Sequence, residues 1–287
     1  MAEINIYLKL MKEYIEYWDE VIREWSKGDG TTKSIPQTER IWFNNTNTNL
    51  IPEYMPEPYG GNPNKCSAVV VNYNPGASIT VKKDEYCHIS QVAIKGSMPD
   101  IMGQNYSKIA LKFPWLNSSE QRPGFMNDDR LNPTIKWLKN RAQWVESLID
   151  KTSDSEEKLI PFFIDICGWH SKNWKGVKFK SNKSHDATPL VEYLKNRILP
   201  VLMYAIPRSQ LGVGLCVGKQ FADVILPILG FKAITESFQP KEEKRRFFQA
   251  FEKDGVKILC TWSWASNKRP SDAYLTFEKE LISKLRT

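Results

Sequence analysis

The chain has 287 residues, with 40 Lys plus Arg against 33 Asp plus Glu, a formal net charge of +7 and 41% hydrophobic residues. A chain of this length buries enough surface to hold a core without disulfide or metal staples, and its composition excludes global disorder. The basic excess is mild: it permits an anionic partner such as nucleic acid without demanding one.

Ile4, Leu8, Met11, Ile15, Trp18, Ile22 and Trp25 recur at steps of three and four, which makes one helical face, and Gly28-Asp29-Gly30 ends the stretch. This predicts an N-terminal helix within residues 1–30, packed on a main domain spanning 31–287. The opening Met-Ala-Glu-Ile carries no signal-peptide pattern and no run approaches a membrane span, so a cytoplasmic chain with no membrane partner is expected. Residues 44–65 are rich in Asn, Pro and Gly and read as a surface loop. Ser67 to Tyr73 is an unbroken apolar run, the mark of a strand buried on both faces of a parallel sheet.

Residues 77–131 show weak periodicity and read as long loops with short helices. Asn132-Pro133-Thr134 then opens a helix with Ile135, Leu138, Ala142, Val145 and Ile149 on its apolar side. Leu159–Cys167, Leu211–Val217 and Val256–Trp262 are three further strands. Helices running from Thr188-Pro189 towards Ile206 and from Lys219 to Leu229 lie between them. Asp254-Gly255 marks a hairpin into the last strand, and Asp272–Leu285 closes the chain as a charged helix. Strands separated by helices predict an α/β fold: a three-layer sandwich whose central sheet is mainly parallel, of about four strands, with an added N-terminal helix.

Cysteines at 66, 87, 167, 216 and 260 form no C-x-x-C pair, which argues against a disulfide framework and a metal site alike. Cys87-His88 and Cys167-x-x-His170 are the only Cys/His neighbours. No metal or other cofactor is expected.

Open parallel sheets bind their ligands at the carboxyl ends of the strands, here Asn72–Gly76, Asp165–His170, Gly218-Lys219 and Thr261–Pro270. Gly212-x-Gly214-x-x-x-Gly218 lacks the dinucleotide spacing, and Gly218-Lys219-Gln220 lacks the Ser/Thr and leading glycine of a phosphate loop. No G-x-S-x-G elbow is present, which disfavours an α/β-hydrolase.

Taken in order, the segments carry a resemblance. Ile51-Pro52-Glu53-Tyr54-Met55-Pro56-Glu57-Pro58-Tyr59-Gly60 precedes a strand ending in Asn72-Tyr73-Asn74-Pro75-Gly76, and Leu215–Asp223 reads LCVGKQFAD. This set resembles the uracil-DNA glycosylase superfamily, particularly the mismatch-specific and single-strand-selective branches whose first motif is G-x-N-P-G. Asn72 stands where that motif has its leading Gly. The resemblance spans about residues 51–271 and leaves the N-terminal helix and the 77–131 stretch outside it.

The resemblance implies a monofunctional glycosylase that flips a nucleotide out of its DNA and hydrolyses the N-glycosidic bond. Asn74 would orient the attacking water, with Pro75 and Gly76 bending the backbone round the nucleotide; in any other fold Asn74 is a turn residue. Asp165 falls where the best-known members have an Asn that reads uracil. An ionised carboxylate accepts from cytosine N4 but cannot donate to uracil O4, which points to cytosine or a modified cytosine. Asp165 as a buried loop cap, or as the partner of a Lys or Arg, is the alternative. The family's His-Pro-Ser-Pro-like last motif is replaced by Thr261-Trp262-Ser263-Trp264-Ala265-Ser266-Asn267-Lys268-Arg269-Pro270, without histidine. His170 is the candidate substitute.

Tyr73, Phe163, Trp262 and Trp264 are candidates to line a base pocket, with core packing as the alternative. Lys172, Lys175, Lys178, Lys180 and Lys183, interleaved with Trp174 and Phe179, and Lys268-Arg269 after the last strand, are candidates for phosphate contact. Modified cytosines occur in bacteriophage DNA, so repair and antiviral defence are both open roles. The missing histidine also leaves open a catalytically silent nucleic-acid sensor of the same fold. An unrelated hydrolase or transferase acting on a nucleotide-sized ligand is a third reading.

Overall fold

The structure, a computed structural model, describes residues 2–27, 35–45, 49–52, 56–73, 140–141, 143–149, 161–171, 189–237, 248–261 and 272–287. Among these residues the fold is α/β, with one mixed sheet of seven strands: β1 (Tyr59–Gly60), β2 (Val69–Asn72), β3 (Phe162–Asp165), β4 (Gly214–Val217), β5 (Lys232–Ala233), β6 (Gln249–Lys253) and β7 (Val256–Thr261). Their order across the sheet is β1-β3-β2-β4-β7-β6-β5.

The four strands expected from apolar runs, β2, β3, β4 and β7, pair in parallel at the centre. The sheet exceeds the expected four because antiparallel strands extend both flanks. Two of the additions, β1 and β5, are only two residues long and carry no period to read. The expected hairpin is formed by β6 and β7. Asp254 and Gly255 both take positive φ, 49° and 77°, the twisted two-residue turn that matches strand twist and that Gly supplies without strain.

The central strands read as continuous apolar runs because both faces are covered. Val69, Val71, Phe162, Ile164, Cys216, Ile258 and Cys260 point into one cluster. Val70, Phe163, Leu215, Val217 and Leu259 point into the other. The first face is covered by α1 (Ala2–Lys27), by α2 (Arg40–Asn45) and by α3, which runs through Pro189–Tyr193, Leu194–Ile198 and Leu199–Ala205. A further helix, α4, passes through Phe221–Ile225 and Leu226–Ile228. The second face is covered by a helical stretch within 140–148 and by α5 (Asp272–Arg286).

Helices α3 and α4 each contain a π turn, and each π turn lies just before a proline, Pro200 and Pro227. A mid-helix proline has no N–H and crowds the carbonyl four residues back; the widened turn accommodates that loss.

Two expectations need correction. The segment at 56–63 is mostly buried rather than a surface loop, because β1 pairs its backbone with β3. Gly61 (φ +95°) lets the chain pass so close that a Cβ there would stand 2.5 Å from the Pro161 carbonyl oxygen. In the helix before β3, the expected Val145 is buried and Ile149 packs at the margin, but among the described residues the buried face also takes in Arg141, Trp144 and Leu148. Trp144 and Leu148 bury a large apolar area, and Arg141 on the same face is carried inward with them.

Candidate functional site at the carboxyl ends of the strands

Parallel pairing brings the ends of β2, β3, β4 and β7 to one edge of the sheet. From β2 the chain crosses to β3 on one side, then returns past β2 to β4 on the other. The crevice of such a sheet opens where the winding reverses, here between β2 and β4.

Asn72 and Asp165 are register partners at the last rung of β2 and β3. Side chains alternate along a strand, so both share the face of Val70 and Phe163. The pairing continues beyond the strands: Ile166 N–H donates to the Asn72 carbonyl at 3.1 Å and Cys167 N–H to the Tyr73 carbonyl at 2.9 Å. On the other flank, Asp165 N–H donates to Pro58 O at 2.8 Å, Glu57 N–H to Gly168 O at 2.8 Å and Ile51 N–H to His170 O at 2.9 Å. The segment 166–171 is therefore held on both sides.

Asp165 is half-buried. Burial pushes its carboxyl well above the usual carboxylate range, the nearby Glu57 charge adds to this, and Arg141 opposes it. Arg141 is itself buried, which lowers its guanidinium to about 9, while the charges of Asp165 and Glu278 hold the proton on. Glu278, fully buried on α5, accepts a hydrogen bond from Trp144 Nε1 at 2.9 Å. Thr261, at the end of β7, shares a hydrogen bond with the Tyr274 hydroxyl. A polar group of Asn72, Asp165, Arg141, Glu278 and Thr261 thus crowns the second apolar cluster at the strand ends.

Sequence reasoning reached only Asp165 as a site residue in this group. Glu278 had a readable signal: it occupies the apolar stripe of α5 between Tyr274 and Ile282, a core position where a charge demands a partner.

His170 is 3% exposed, and its Nε2 lies 4.0 Å from Glu57 Oε1. It is packed inside the fold facing Glu57 rather than standing open at the strand ends. Phe163 belongs to the second apolar cluster, so its ring is core rather than pocket wall. Tyr73 is half-buried, with its ring stacked on Phe221 at 4.4 Å and 13°. Its hydroxyl accepts from Phe221 N–H at 3.0 Å. One face and the polar tip of Tyr73 are thus already engaged.

Asn74, Pro75, Gly76, Trp262, Trp264, Lys172, Lys175, Lys178, Lys180, Lys183, Lys268 and Arg269 lie outside the described residues. So do the expected loops at 77–131, the Cys87-His88 pair and the start of the helix at 132–139. Cys66, Cys167, Cys216 and Cys260 are buried free thiols, and no group of metal-ligating side chains occurs among the described residues. No helix among them is long and apolar enough to cross a membrane. An open groove of about 540 Å³ beside Lys195, Pro227 and Lys253 lies near the β6–β7 turn, at the opposite end of the sheet. No protein-family model matches the chain, and no curated protein or solved structure matches it either.

Proposed function

We propose that this chain is a DNA glycosylase of the uracil-DNA glycosylase kind, built as a three-layer sandwich, that removes a cytosine-like base. The carrying observation is the register pair Asn72–Asp165. It sets a half-buried carboxyl one strand over from the segment that runs directly into Asn74-Pro75-Gly76. In the reaction the base leaves with the electron pair of its glycosidic bond, a water held by Asn74 adds to the sugar carbon, and the proton that water sheds ends on the departed base. An amide is no strong base, so positioning and electrostatics carry the rate.

Asp165 reads the base. At the 4-position of the base a neutral carboxyl accepts from cytosine N4 or donates to uracil O4, whereas the ionised form only accepts and so takes the amino group. In the neutral form either base fits and the adjacent Glu57 charge adds the bias, attracting an amino group and repelling a carbonyl at that edge. Lys172, Lys175, Lys178, Lys180, Lys183, Lys268 and Arg269 contact phosphate in this reading.

The test is alkali-induced scission of duplexes carrying uracil, cytosine, hydroxymethylcytosine or glucosylated hydroxymethylcytosine. Scission is expected on an amino-bearing base and is expected to vanish in Asn74→Ala. No scission on any duplex, with salt-sensitive DNA binding retained, overturns the enzyme in favour of a silent binder.

Asp165→Asn gives a second prediction. An amide offers donor and acceptor at every pH and never becomes acceptor-only, so above the carboxyl pKa the cytosine-to-uracil release ratio falls by about ten-fold or more relative to the parent. In the parent protein that ratio rises as pH climbs through the raised carboxyl pKa, because the ionised form can no longer donate to uracil O4. In Asp165→Asn it is flat. An unchanged ratio in the variant sinks the assignment of Asp165.

A further inference from the structure

Tyr73 stands in the crevice between β2 and β4, where the winding of the sheet reverses, and three contacts hold it there. Its backbone carbonyl takes the Cys167 N–H at 2.9 Å. Its ring lies parallel to Phe221. Its hydroxyl accepts the Phe221 N–H in the first turn of α4. The turn that receives it is shaped for the ring: Gly218 has φ +119°, and a Cβ there would stand 2.5 Å from Tyr73 Cε2 and 2.7 Å from its hydroxyl oxygen. That turn is fastened in its own right, since Gly218 N–H donates to the Thr261 carbonyl at 2.8 Å. Thr261 is in turn bonded to Tyr274 of α5. Tyr73 therefore ties the end of β2 to β4, α4 and β7, and the next residue in the chain is Asn74.

We infer that Tyr73 is the positioning residue of the site: through its hydroxyl and its fit against Gly218 it fixes the end of β2 immediately before Asn74 in the chain, and so the aim of the attacking water. This rests on the glycosylase reading. A base-stacking wall would leave a ring face and the polar tip available. Here the polar tip and one ring face serve the protein, and the Phe221 N–H in the first turn of α4 is shared between the Tyr73 hydroxyl and the Gly218 carbonyl at 3.2 Å. A reaction that depends on orienting a water is sensitive to such anchoring, because a displacement of about 1 Å costs up to about a hundred-fold in rate.

Tyr73→Phe keeps the stack and removes the acceptor; Gly218→Ala keeps Tyr73 and pushes on its ring. Each is measured in single-turnover base release, alongside DNA affinity at fixed salt. The rate constant is expected to fall about ten- to a hundred-fold, while the burst amplitude and DNA affinity stay within about two-fold. A merely loosened fold does the reverse, lowering the amplitude through inactive molecules and leaving the rate constant of the remainder intact.

A Tyr73→Phe rate constant within about two-fold of the parent, in the same assay where Asn74→Ala abolishes release, overturns the positioning role and leaves the glycosylase standing. If the parent releases no base, or Asn74→Ala releases it at the parent rate, the glycosylase reading falls and the positioning role falls with it. If Gly218→Ala does not fold, Tyr73→Phe alone decides.

Discussion

Replacing Trp18 by Ala is expected to remove about 3–5 kcal/mol of stability, the range for truncating a fully buried large aromatic. Trp18 is 0% exposed on α1 and belongs to the same apolar cluster as Phe162, Ile164 and Trp169. The fit is close: a Cβ on Gly168 would stand 2.6 Å from Trp18 Cη2 and 3.1 Å from the Pro58 side chain. α1 is tied in again at Trp25, whose Nε1 donates to the Pro52 carbonyl at 2.8 Å. The helix is therefore part of the core beneath the strand ends rather than an accessory. Urea unfolding should show a lower midpoint with an unchanged slope. A loss under about 1 kcal/mol would mean that the helix merely rests on the domain. Gly168→Ala approaches the same contact from the other side and should be destabilising too, because indole and backbone cannot both stay in place.

The parts of the fold that were legible in the sequence share one physical property: they bury both faces or one whole stripe. Val69–Asn72, Phe162–Asp165, Gly214–Val217 and Val256–Thr261 lie inside the runs that unbroken apolar character marks out. The stripe from Met11 to Trp25 matches the buried face of α1. Elements defined by backbone pairing alone were hidden. Tyr59–Gly60 is a strand because β3 offers it free carbonyls and N–H groups, and Lys232–Ala233 is one because β6 does, with both of its side chains exposed.

The candidate site was legible in the same uneven way. Placement of Asp165 at a strand end follows from where its apolar run stops. Its partners do not, since Glu57, Arg141 and Glu278 come from three segments far apart in sequence and meet only through the packing of helix on sheet. His170 shows the converse: its position just after a strand suggested an open site, yet the segments at 50–51 and 57–60, paired antiparallel to its own, cover it. Tyr73 looked like a pocket aromatic because the sequence cannot show that Phe221, about 150 residues on, supplies both a ring and an N–H for it.

The pH dependence of stability should carry the signature of one buried carboxyl, Glu39. It is 0% exposed, accepting from the Tyr17 hydroxyl and from Trp169 Nε1 at 2.8 Å, with Tyr14 and Tyr193 close by and Arg197 stacked 4.0 Å over the Tyr17 ring. Burial pushes Glu39 up to about 7, and its hydrogen-bond donors and Arg197 only partly offset this. A carboxyl raised on folding binds its proton more tightly in the native state. Its contribution is therefore complete below the unfolded value of 4.5 and is lost as pH rises to about 7. Over that window the loss amounts to about 3 kcal/mol.

Other groups titrate in the same range, so the measurement is the stability difference between the parent and Glu39→Gln from pH 4 to 8. Gln cannot ionise, hence the parent should lose about 3 kcal/mol relative to it as pH rises and then level off. A difference that stays constant across the range shows that Glu39 is not protonated on folding. The consequence reaches the strand ends, because Trp169 follows Gly168 and precedes His170. Ionising Glu39 charges the acceptor that holds this segment from beneath, so the same pH rise that weakens the fold strengthens the Trp169 hydrogen bond, charge-assisted bonds being the stronger kind.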